Sequence, residues 1–351
     1  MQIEDILKKA ISIYASDVHI VPGRKPMVRV RGDVQALEEF EVLTRATSKE
    51  LVCAMLTSEH QQFFSKTKEY DFSMKIEDVG RFRVNVLMQK DGVGAVLRVI
   101  PSVIPTAKQL MIPQAAIELT KLQRGLVLLT GPTGCGKSTT IASLIDIINE
   151  TYPKHILTIE DPIEYVFDQK KSIVTQREIG DQTLTFHNAL KHALRQDPDV
   201  IVIGEMRDLD TISTALTLAE TGHIVFATLH TSDAPQTIDR IVDVFPPYQQ
   251  QQIRSQLSIT LKAVISQQLV KTKDGKGRVA AREIMIINSA ISHMIREGKT
   301  AQIYGAIETG KSVGMISMDK SLTQLVSEGL ISRQEAMINA TNPLSMQRLG
   351  M

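Results

Sequence analysis

A glycine-rich octapeptide constrains this chain more than any other part of its sequence. Residues 131–138 read Gly-Pro-Thr-Gly-Cys-Gly-Lys-Ser, which matches the phosphate-loop pattern G-x-x-x-x-G-K-[ST] at every fixed position. The apolar run 125–130 precedes the octapeptide, and a helical pattern covers 139–148. Because the motif requires this order of strand, loop and helix, the sequence predicts an α/β domain with a nucleotide-phosphate site rather than a chance glycine-rich turn.

The loop supplies its own chemistry to a bound nucleotide. Its glycines let backbone N–H groups wrap around phosphate oxygens, and the following helix N-terminus adds positive potential. Lys137 is predicted to reach the β- and γ-phosphates, and the Ser138 hydroxyl to ligate Mg²⁺. Cys135 is interpreted as a tolerated small side chain. The residues predicted to bind ATP are Gly131, Pro132, Thr133, Gly134, Cys135, Gly136, Lys137, Ser138 and Thr139.

From residue 125 onward, short apolar runs alternate with helical stretches. Four such runs lie at 125–130, 155–159, 200–203 and 224–229. Continuous apolar strands separated by helices indicate a parallel sheet that is covered on both faces. The residues from about 289 onward have helical spacing.

The N-terminal part of the chain has a different pattern. A helical stretch is followed by strands in which apolar and polar side chains alternate, which indicates a mixed α+β domain. Several prolines then mark a linker, since proline lacks a backbone donor and disfavours helix. The predicted organisation is an N-terminal α+β domain at 1–99, a linker at 100–113, and an ATPase domain with C-terminal helices at 114–351.

Composition narrows the function classes. With 40 Lys and Arg against 39 Asp and Glu, the net charge of +1 argues against a nucleic-acid binder, which needs a concentrated basic surface. Aromatic residues, at 4%, are too few for base-stacking platforms. Cys53 and Cys135, the two cysteines, exclude a four-cysteine zinc site and favour a reducing cytosol. No apolar run approaches a membrane span of about 18 residues, and the acidic N-terminus does not resemble a signal peptide.

The strand predicted at 200–203 has a carboxylate beyond each end. Asp199 precedes the strand and Glu205 follows it, and at about 3.3 Å per residue the two lie roughly 20 Å apart. ATP hydrolysis needs a residue that orients the attacking water, and this residue must lie at the carboxyl ends of the strands, as the phosphate loop does. Glu205 is therefore the predicted general base or water positioner, although Gly204 occupies the usual position of the Walker B Asp.

Neighbouring strand ends add polar groups to the same edge. Glu160, Asp161 and Glu164 follow one strand and could hold Mg²⁺ through water or position the nucleophile; a solvent-facing acidic loop is the alternative. His230 ends another strand, where it could sense the γ-phosphate or have a structural role, and His223 lies at the opposite end of that strand. The predicted metal-holding residues are Ser138, Glu160 and Asp161.

Together these segments resemble the secretion-type hexameric ATPases, the family that drives type II and type IV secretion and type IV pili. The resemblance is carried by the phosphate loop, the acidic box 159–164, the segment 199–208 and the histidine box 221–231. It implies a RecA-like P-loop ATPase domain preceded by a smaller, PAS-like α+β domain. It also makes the glycine in the Walker B position expected, and assigns catalytic roles to Glu205, Glu160, Glu164 and His230.

The N-terminal domain resembles the same family. The segment 80–85, followed by Arg98, is similar to arginine-bearing strands whose side chains reach nucleotide phosphates. An arginine supplied across an interface would stabilise charge on the γ-phosphate. The resemblance nominates Arg83 and Arg98 first and Arg81 behind them. Outward-facing strand residues without a catalytic role are the alternative.

Within the family, the chain is most similar to the retraction ATPases of type IV pili. Assembly and type II secretion ATPases typically carry a four-cysteine zinc motif, for which this chain has only a short hairpin at 271–278. The resemblance implies a cytoplasmic homohexamer at the inner face of the cytoplasmic membrane. Its partner would be an inner-membrane pilus platform protein, with membrane association only through partners and no nucleic acid.

Three alternatives remain open from the sequence. The first is another member of the family, either an accessory retraction paralogue or a pilus-assembly or secretion ATPase. The triplet 292–294 reads Ser-His-Met where the retraction subfamily has Arg-Asn-Leu, which leaves open whether the chain is the main retraction motor or an accessory paralogue. A nucleic-acid motor is opposed by the neutral charge and the few aromatic residues. A regulatory ring that binds ATP but hydrolyses little is opposed by the intact Lys137, Ser138 and Glu205.

Overall fold

Separate hydrophobic cores divide the chain into two units, Met1–Val103 and Ile104–Met351. The computed structural model describes residues 1–30, 32–101 and 103–342, so Ser102 of the predicted linker lies outside the described residues. Each unit is built on its own sheet. Among the described residues, no helix is both long enough and apolar enough to cross a bilayer.

The N-terminal unit is an antiparallel sheet with helices packed on one face. Its elements are α1 (Ile3–Ser12), β1 (Asp17–Ile20), β2 (Met27–Val30), β3 (Asp33–Ala36), α2 (Arg45–Ala54), α3 (Ser58–Thr67), β4 (Glu69–Ile76), β5 (Gly80–Gln89) and β6 (Gly92–Ile100). The strand order is β3-β2-β1-β6-β5-β4. Phe82, Val84 and Val86 are buried on one side of β5, and the residues between them lie on the other side. This alternation is the pattern expected for a sheet with one covered face.

The C-terminal unit is built on a mostly parallel sheet, which we call the C-terminal sheet. Its strands are β7 (Gly125–Thr130), β8 (His155–Glu160), β9 (Ile173–Glu178), β10 (Val200–Ile203), β11 (Ile224–Leu229), β12 (Leu261–Lys271) and β13 (Arg278–Ile286). The strand order is β13-β12-β7-β11-β10-β8-β9, and only the β12–β13 hairpin is antiparallel. Every residue of β7, β10 and β11 is buried, as the continuous apolar runs predict.

Helices cover both faces of the C-terminal sheet. They are α4 (Gln114–Ile117), α5 (Lys137–Thr151), α6 (Phe186–Ala193), α7 (Leu209–Glu220), α8 (Ala234–Asp243), α9 (Pro247–Thr260), α10 (Ser289–Arg296), α11 (Ile303–Thr309), α12 (Met318–Ser327) and α13 (Arg333–Asn339). Leu126 and Leu128 of β7 pack into the core on the side of α6 to α11, whereas Val127 and Leu129 pack into the core on the side of α5. The predicted two-sided parallel sheet is confirmed.

The C-terminal sheet has two edges that carry different segments of the chain. The parallel strands β7, β8, β10 and β11 all end at one of them, which we call the carboxyl edge, and begin at the other, the amino edge. The segments after these strands carry the phosphate loop, the acidic box, Glu205 and His230. In an open parallel sheet the carboxyl edge is where ligands bind.

Candidate active site

The phosphate loop connects the end of β7 to the first turn of α5. Gly131, Gly134 and Gly136 have φ values of +136°, +76° and +87°, a region that side chains with a Cβ rarely adopt. A Cβ at Gly131 would lie 2.1 Å from the Gln267 carbonyl oxygen, whereas a Cβ at Gly134 would meet nothing within 4 Å. The first glycine is therefore required by packing, and the second by backbone conformation alone.

Lys137 lies inside the loop. Its side chain is buried, with 8% of its surface exposed, and its Nζ donates to the carbonyls of Gly131 at 2.8 Å and Pro132 at 3.1 Å. A buried ammonium group costs free energy unless it is paired, and here its hydrogen-bond partners are neutral carbonyls. The loop is thus positively charged at its centre, which suits the phosphates of a nucleotide.

The other loop residues differ in exposure. Pro132, Thr133 and Gly134 are exposed, and Ser138 is half-buried in the first turn of α5. The Thr139 hydroxyl lies 3.0 Å from the Tyr165 hydroxyl, so the segment after β8 reaches the start of α5. The loop therefore leaves its outer surface open to a ligand while its helical end is held in place.

Cys135 faces the protein interior. Only 3% of its surface is exposed, and burial raises the pKa of its thiol. Its carbonyl accepts a 2.6 Å hydrogen bond from Gln267 Nε2. A buried thiol that is disfavoured as a thiolate is a poor nucleophile, which agrees with the interpretation of Cys135 as a tolerated small residue.

Glu205 is the centre of a charged group at the carboxyl edge. Its Oε1 lies 2.8 Å from His230 Nε2, and its Oε2 lies 2.7 Å from an Arg207 guanidinium nitrogen. Strand β11, which ends just before His230, lies between β10 and the loop strand β7. Burial raises the pKa of Glu205, but the Arg207 hydrogen bond and the charge of His230 outweigh it, so that the net pKa is lowered. The carboxylate is ionised at neutral pH, as a water-activating base must be.

Packing explains why glycine precedes Glu205. A Cβ on Gly204 would lie 3.3 Å from both the Glu160 Cα and the Ile159 carbonyl oxygen. The Gly204 N–H donates to that carbonyl at 2.8 Å, and the Thr228 hydroxyl donates to the Gly204 carbonyl. An aspartate at this position would make a tight contact that the neighbouring backbone must relieve by a few tenths of an ångström.

The acidic box divides into one enclosed carboxyl group and two exposed ones. Glu160 accepts hydrogen bonds from Thr158 at 2.6 Å, from Gln176 at 3.3 Å and from the Glu164 N–H at 3.3 Å. Burial raises its pKa to about 7 despite these bonds. Asp161 and Glu164 are exposed. Strands β11 and β10 lie between β7 and β8, so the box shares the edge with the phosphate loop without lying on an adjacent strand.

The donor set fits a magnesium ion that is held mainly by nucleotide and water. Within residues 1–30, 32–101 and 103–342, no group of three His, Cys, Asp or Glu side chains is arranged to hold a metal. Mg²⁺ commonly keeps several waters and takes one or two protein ligands beside phosphate oxygens. The Ser138 hydroxyl, at the last position of the loop, is the candidate protein ligand, and Glu160 and Asp161 remain candidates for contacts through water.

The amino edge carries its own polar groups. Asp199 forms a 2.8 Å ion pair with Lys154 and accepts a 2.9 Å hydrogen bond from the His155 N–H. His223 Nδ1 lies 3.0 Å from the Leu218 carbonyl. This contact connects the residue just before β11 to the last turn of α7. These groups connect neighbouring segments of the sheet, and they lie at the edge opposite the phosphate loop.

The arginines of the N-terminal unit share one face of its sheet. Arg83 and Arg98 are directly opposite each other on β5 and β6, and Arg81 is two residues from Arg83 on the same face. Arg98 is 69% exposed and its Nε lies 3.1 Å from Asp17 Oδ1. The three guanidinium groups thus lie on the face opposite Phe82 and Val84.

Sequence reasoning missed three contributors to the site. Arg207 follows Glu205 by two positions, and this close opposite charge was the available signal. The signal for Gln267 was the polar stretch 266–268, which interrupts the apolar residues of strand β12. Tyr165 carried none, because its contact with Thr139 depends on the path of the chain after β8.

Comparison with known proteins gives a consistent result. The sequence profile of the type II/IV secretion system protein family matches residues 1–338. The type IV pilus retraction ATPase PilT of Pseudomonas aeruginosa is 49% identical over 343 residues, covering 98% of this chain and 99% of that protein. A twitching motility protein of Neisseria gonorrhoeae is 49% identical over 321 residues, covering 92% of this chain and 86% of that protein.

A solved structure matches over the same length. The crystal structure of the pilus retraction motor PilT with bound ADP superposes with a TM-score of 0.94 at 47% sequence identity, covering 99% of each chain. The fold of this chain therefore recurs in a relative whose structure contains ADP.

Proposed function

The chain belongs to the type II/IV secretion system protein family, and we propose that it is a hexameric ATPase motor that powers retraction of type IV pili. The observation that carries the proposal is the carboxyl edge of the C-terminal sheet, where a phosphate loop with a buried Lys137 shares the edge with an ionised Glu205. The full-length similarity to retraction ATPases supports the choice of pilus retraction within the family.

The site residues have distinct tasks in hydrolysis. The loop amides and Lys137 hold the β- and γ-phosphates and stabilise charge that develops between them. Glu205 orients the attacking water and accepts its proton, and His230 and Arg207 hold its carboxylate in place through bonds of 2.8 and 2.7 Å. Ser138 would hold a bound Mg²⁺, which would supply further charge neutralisation at the phosphates.

The N-terminal unit contributes arginines in this proposal. Arg83 and Arg98, with Arg81 behind them, reach the γ-phosphate of a nucleotide held by a neighbouring subunit of the ring. These arginines share the face of β5 and β6 that points away from the hydrophobic core, which supports this assignment. Mixing wild-type subunits with an Arg83→Ala, Arg98→Ala double variant should lower ATP turnover more than in proportion to the variant fraction. A strictly proportional fall would contradict the assignment.

The motor acts at the inner face of the cytoplasmic membrane. Its partner is an inner-membrane pilus platform protein, and the chain associates with the membrane only through partners. Nucleotide-driven changes in the six subunits turn or push the platform, since hinge closure around a ligand converts a local contact into a large motion.

The deletion phenotype tests the proposed direction of the motor. Cells that lack the protein should carry many long pili that do not retract and should lose twitching motility. Wild-type protein should restore pilus retraction and twitching motility, whereas a Glu205→Gln variant should restore neither. Bald cells would contradict retraction and would indicate pilus assembly.

One observation favours a second candidate, an accessory retraction ATPase. Ser292 donates to the Ser258 carbonyl between α10 and α9, and His293 is exposed, where the retraction subfamily has Arg and Asn. If the chain is accessory, its deletion should weaken retraction against load while unloaded retraction persists. Complete loss of retraction would favour the main motor.

A further inference from the structure

Gln267 is bonded to the phosphate loop from beneath. It lies on β12, is 2% exposed, and its Nε2 donates to the Cys135 carbonyl at 2.6 Å. Its Oε1 accepts a 2.9 Å bond from the Thr140 hydroxyl. Its own carbonyl oxygen is the atom that a Cβ on Gly131 would strike. One residue therefore contacts the start, the middle and the helical end of the loop.

The orientation of the Gln267 amide is fixed by a buried arginine. Arg282 of β13 is 4% exposed, and its Nε donates to Gln267 Oε1 at 2.8 Å. A carbonyl oxygen such as that of Cys135 can only accept, and a guanidinium can only donate, so one amide orientation satisfies both. A rotated amide would leave buried polar groups unpaired.

Arg282 is a buried cation without a carboxylate partner in the part of the chain that the structure describes. Burial lowers the pKa of its guanidinium to about 10, which leaves it charged at neutral pH. Its two remaining bonds go to the carbonyls of Leu110 at 3.0 Å and Met111 at 3.1 Å. Replacing a buried cation costs more than a surface change when the carbonyls around it are then left without a donor.

The carbonyls that hold Arg282 belong to the segment 104–112, which begins the C-terminal unit. The amides of Leu110, Met111 and Ile112 donate to carbonyls within this segment. Met111 has a φ of +50°, a conformation that costs free energy for a residue other than glycine. The segment is therefore held in a defined shape, and Arg282 is bonded at its strained end.

We propose that Gln267 and Arg282 are positioning residues that couple the shape of the segment 104–112 to the shape of the phosphate loop. A chain of hydrogen bonds runs from the Leu110 and Met111 carbonyls through Arg282 and Gln267 to Cys135. Nucleotide that tightens the loop thereby stabilises the segment, and a displaced segment loosens the loop. This inference rests on the proposed nucleotide site at the loop.

Nucleotide affinity of the purified full-length protein tests the coupling. We expect Gln267→Met and Arg282→Met each to raise the dissociation constant for Mg·ADP about tenfold, the cost of losing a charged or buried hydrogen bond. The double variant should bind about as weakly as either single variant, because both changes break one chain of bonds. Two control substitutions change residues on β12 and β13 that take no part in this series of hydrogen bonds. Gln268→Met breaks a bond to the Asn339 carbonyl, and Arg278→Met changes an exposed side chain of β13.

Hydrogen exchange separates coupling from a general loss of packing. In the wild-type protein, saturating Mg·ADP should slow amide exchange in the segment 104–112, and in Gln267→Met at saturating Mg·ADP this effect should disappear. Arg282→Lys keeps the charge but loses the forked geometry, and it should reproduce the affinity loss if Arg282→Met does not fold. Wild-type affinity in the Gln267 and Arg282 variants, fully multiplicative losses in the double variant, or exchange unaffected by nucleotide would each overturn the inference. A wild-type protein that does not bind Mg·ADP would instead refute the proposed function.

Discussion

The two edges of the C-terminal sheet carry similar charged groups but differ in what these groups can do. At the carboxyl edge, Glu205 forms a 2.8 Å pair with His230. At the amino edge, Asp199 forms a 2.8 Å pair with Lys154. Both carboxyl groups have a lowered pKa, and burial opposes the lowering in each case. The ion pairs alone do not distinguish a catalytic group from a structural one.

Position in the sheet makes the distinction. The carboxyl edge combines its charged pair with glycines in left-handed conformations and with a helix N-terminus, and both features leave backbone N–H groups available to an anion. At the amino edge, the Asp199 carboxylate is used by the Lys154 side chain and the His155 amide. Matched substitutions at the two edges therefore separate function from stability.

The lysines give the largest contrast. Lys137→Ala removes the buried cation of the phosphate loop and should lower ATP turnover about 10²-fold or more, since a single preorganised charge-stabilising donor has an effect of that size. Lys154→Ala breaks the pair with Asp199 and should leave turnover within about twofold of wild type. Steady-state phosphate release measures both, and equal losses in the two variants would abolish the distinction between the edges.

The histidines give a smaller contrast with a defined sign. His230→Asn should lower turnover about tenfold, the expected effect of one hydrogen bond to a charged group. The charge of His230 helps to lower the pKa of Glu205, so its removal should raise that pKa and move the acidic limb of the rate profile to higher pH. His223→Asn, at the amino edge, should leave the profile unchanged. An acidic limb that stays in place in His230→Asn would show that Glu205 is not the titrating base.

Substitution of Glu283 should affect turnover least, because this buried carboxyl group bonds to the backbone of α8. Its expected effect is on stability. Glu283 is 1% exposed, accepts a 2.9 Å bond from the Ala234 N–H, and its pKa is raised to about 7 by burial. The folded state therefore retains a proton that the unfolded state releases near pH 4.5. Stability should fall as pH rises from about 4.5 to about 7, on the order of 1 to 3 kcal/mol.

Denaturant unfolding across this pH range measures the effect. Glu283→Gln should remove part of the dependence and leave the part due to Glu160, whose pKa is also raised to about 7 by burial. Glu297→Gln, a change at an exposed position, should retain the whole dependence. Identical pH dependence in Glu283→Gln and the wild-type protein would exclude Glu283 as its source.

Local patterns predicted much of this fold because local chemistry determines it. The strand at 125–130 and the helix after the loop follow from an apolar run and a phosphate-loop motif, and both are observed at β7 and α5. Phe82 and Val84 alternate with arginines on β5, as a half-buried strand predicts. The assignment of Glu205 and Asp199 to opposite edges needed only the rise of a strand.

Contacts between distant segments could not be predicted in the same way. Gln267 and Cys135 are 132 positions apart, and the strand order that brings them together follows from packing of the whole unit. The same order puts β11 and β10 between the phosphate loop and Glu160, which no local pattern reports. The position of His230 beside Glu205 likewise depends on the pairing of β10 with β11.

The central claim is that Glu205 activates water at the carboxyl edge, and single-turnover hydrolysis with direct ATP binding tests it most directly. Glu205→Gln keeps the side-chain shape, so it should bind Mg·ATP with a dissociation constant within about threefold of wild type. It should hydrolyse the bound ATP at least about 10²-fold more slowly, because it cannot accept the proton. Asp199→Asn, the matched change at the amino edge, should hydrolyse at the wild-type rate. Wild-type hydrolysis by Glu205→Gln would contradict the account.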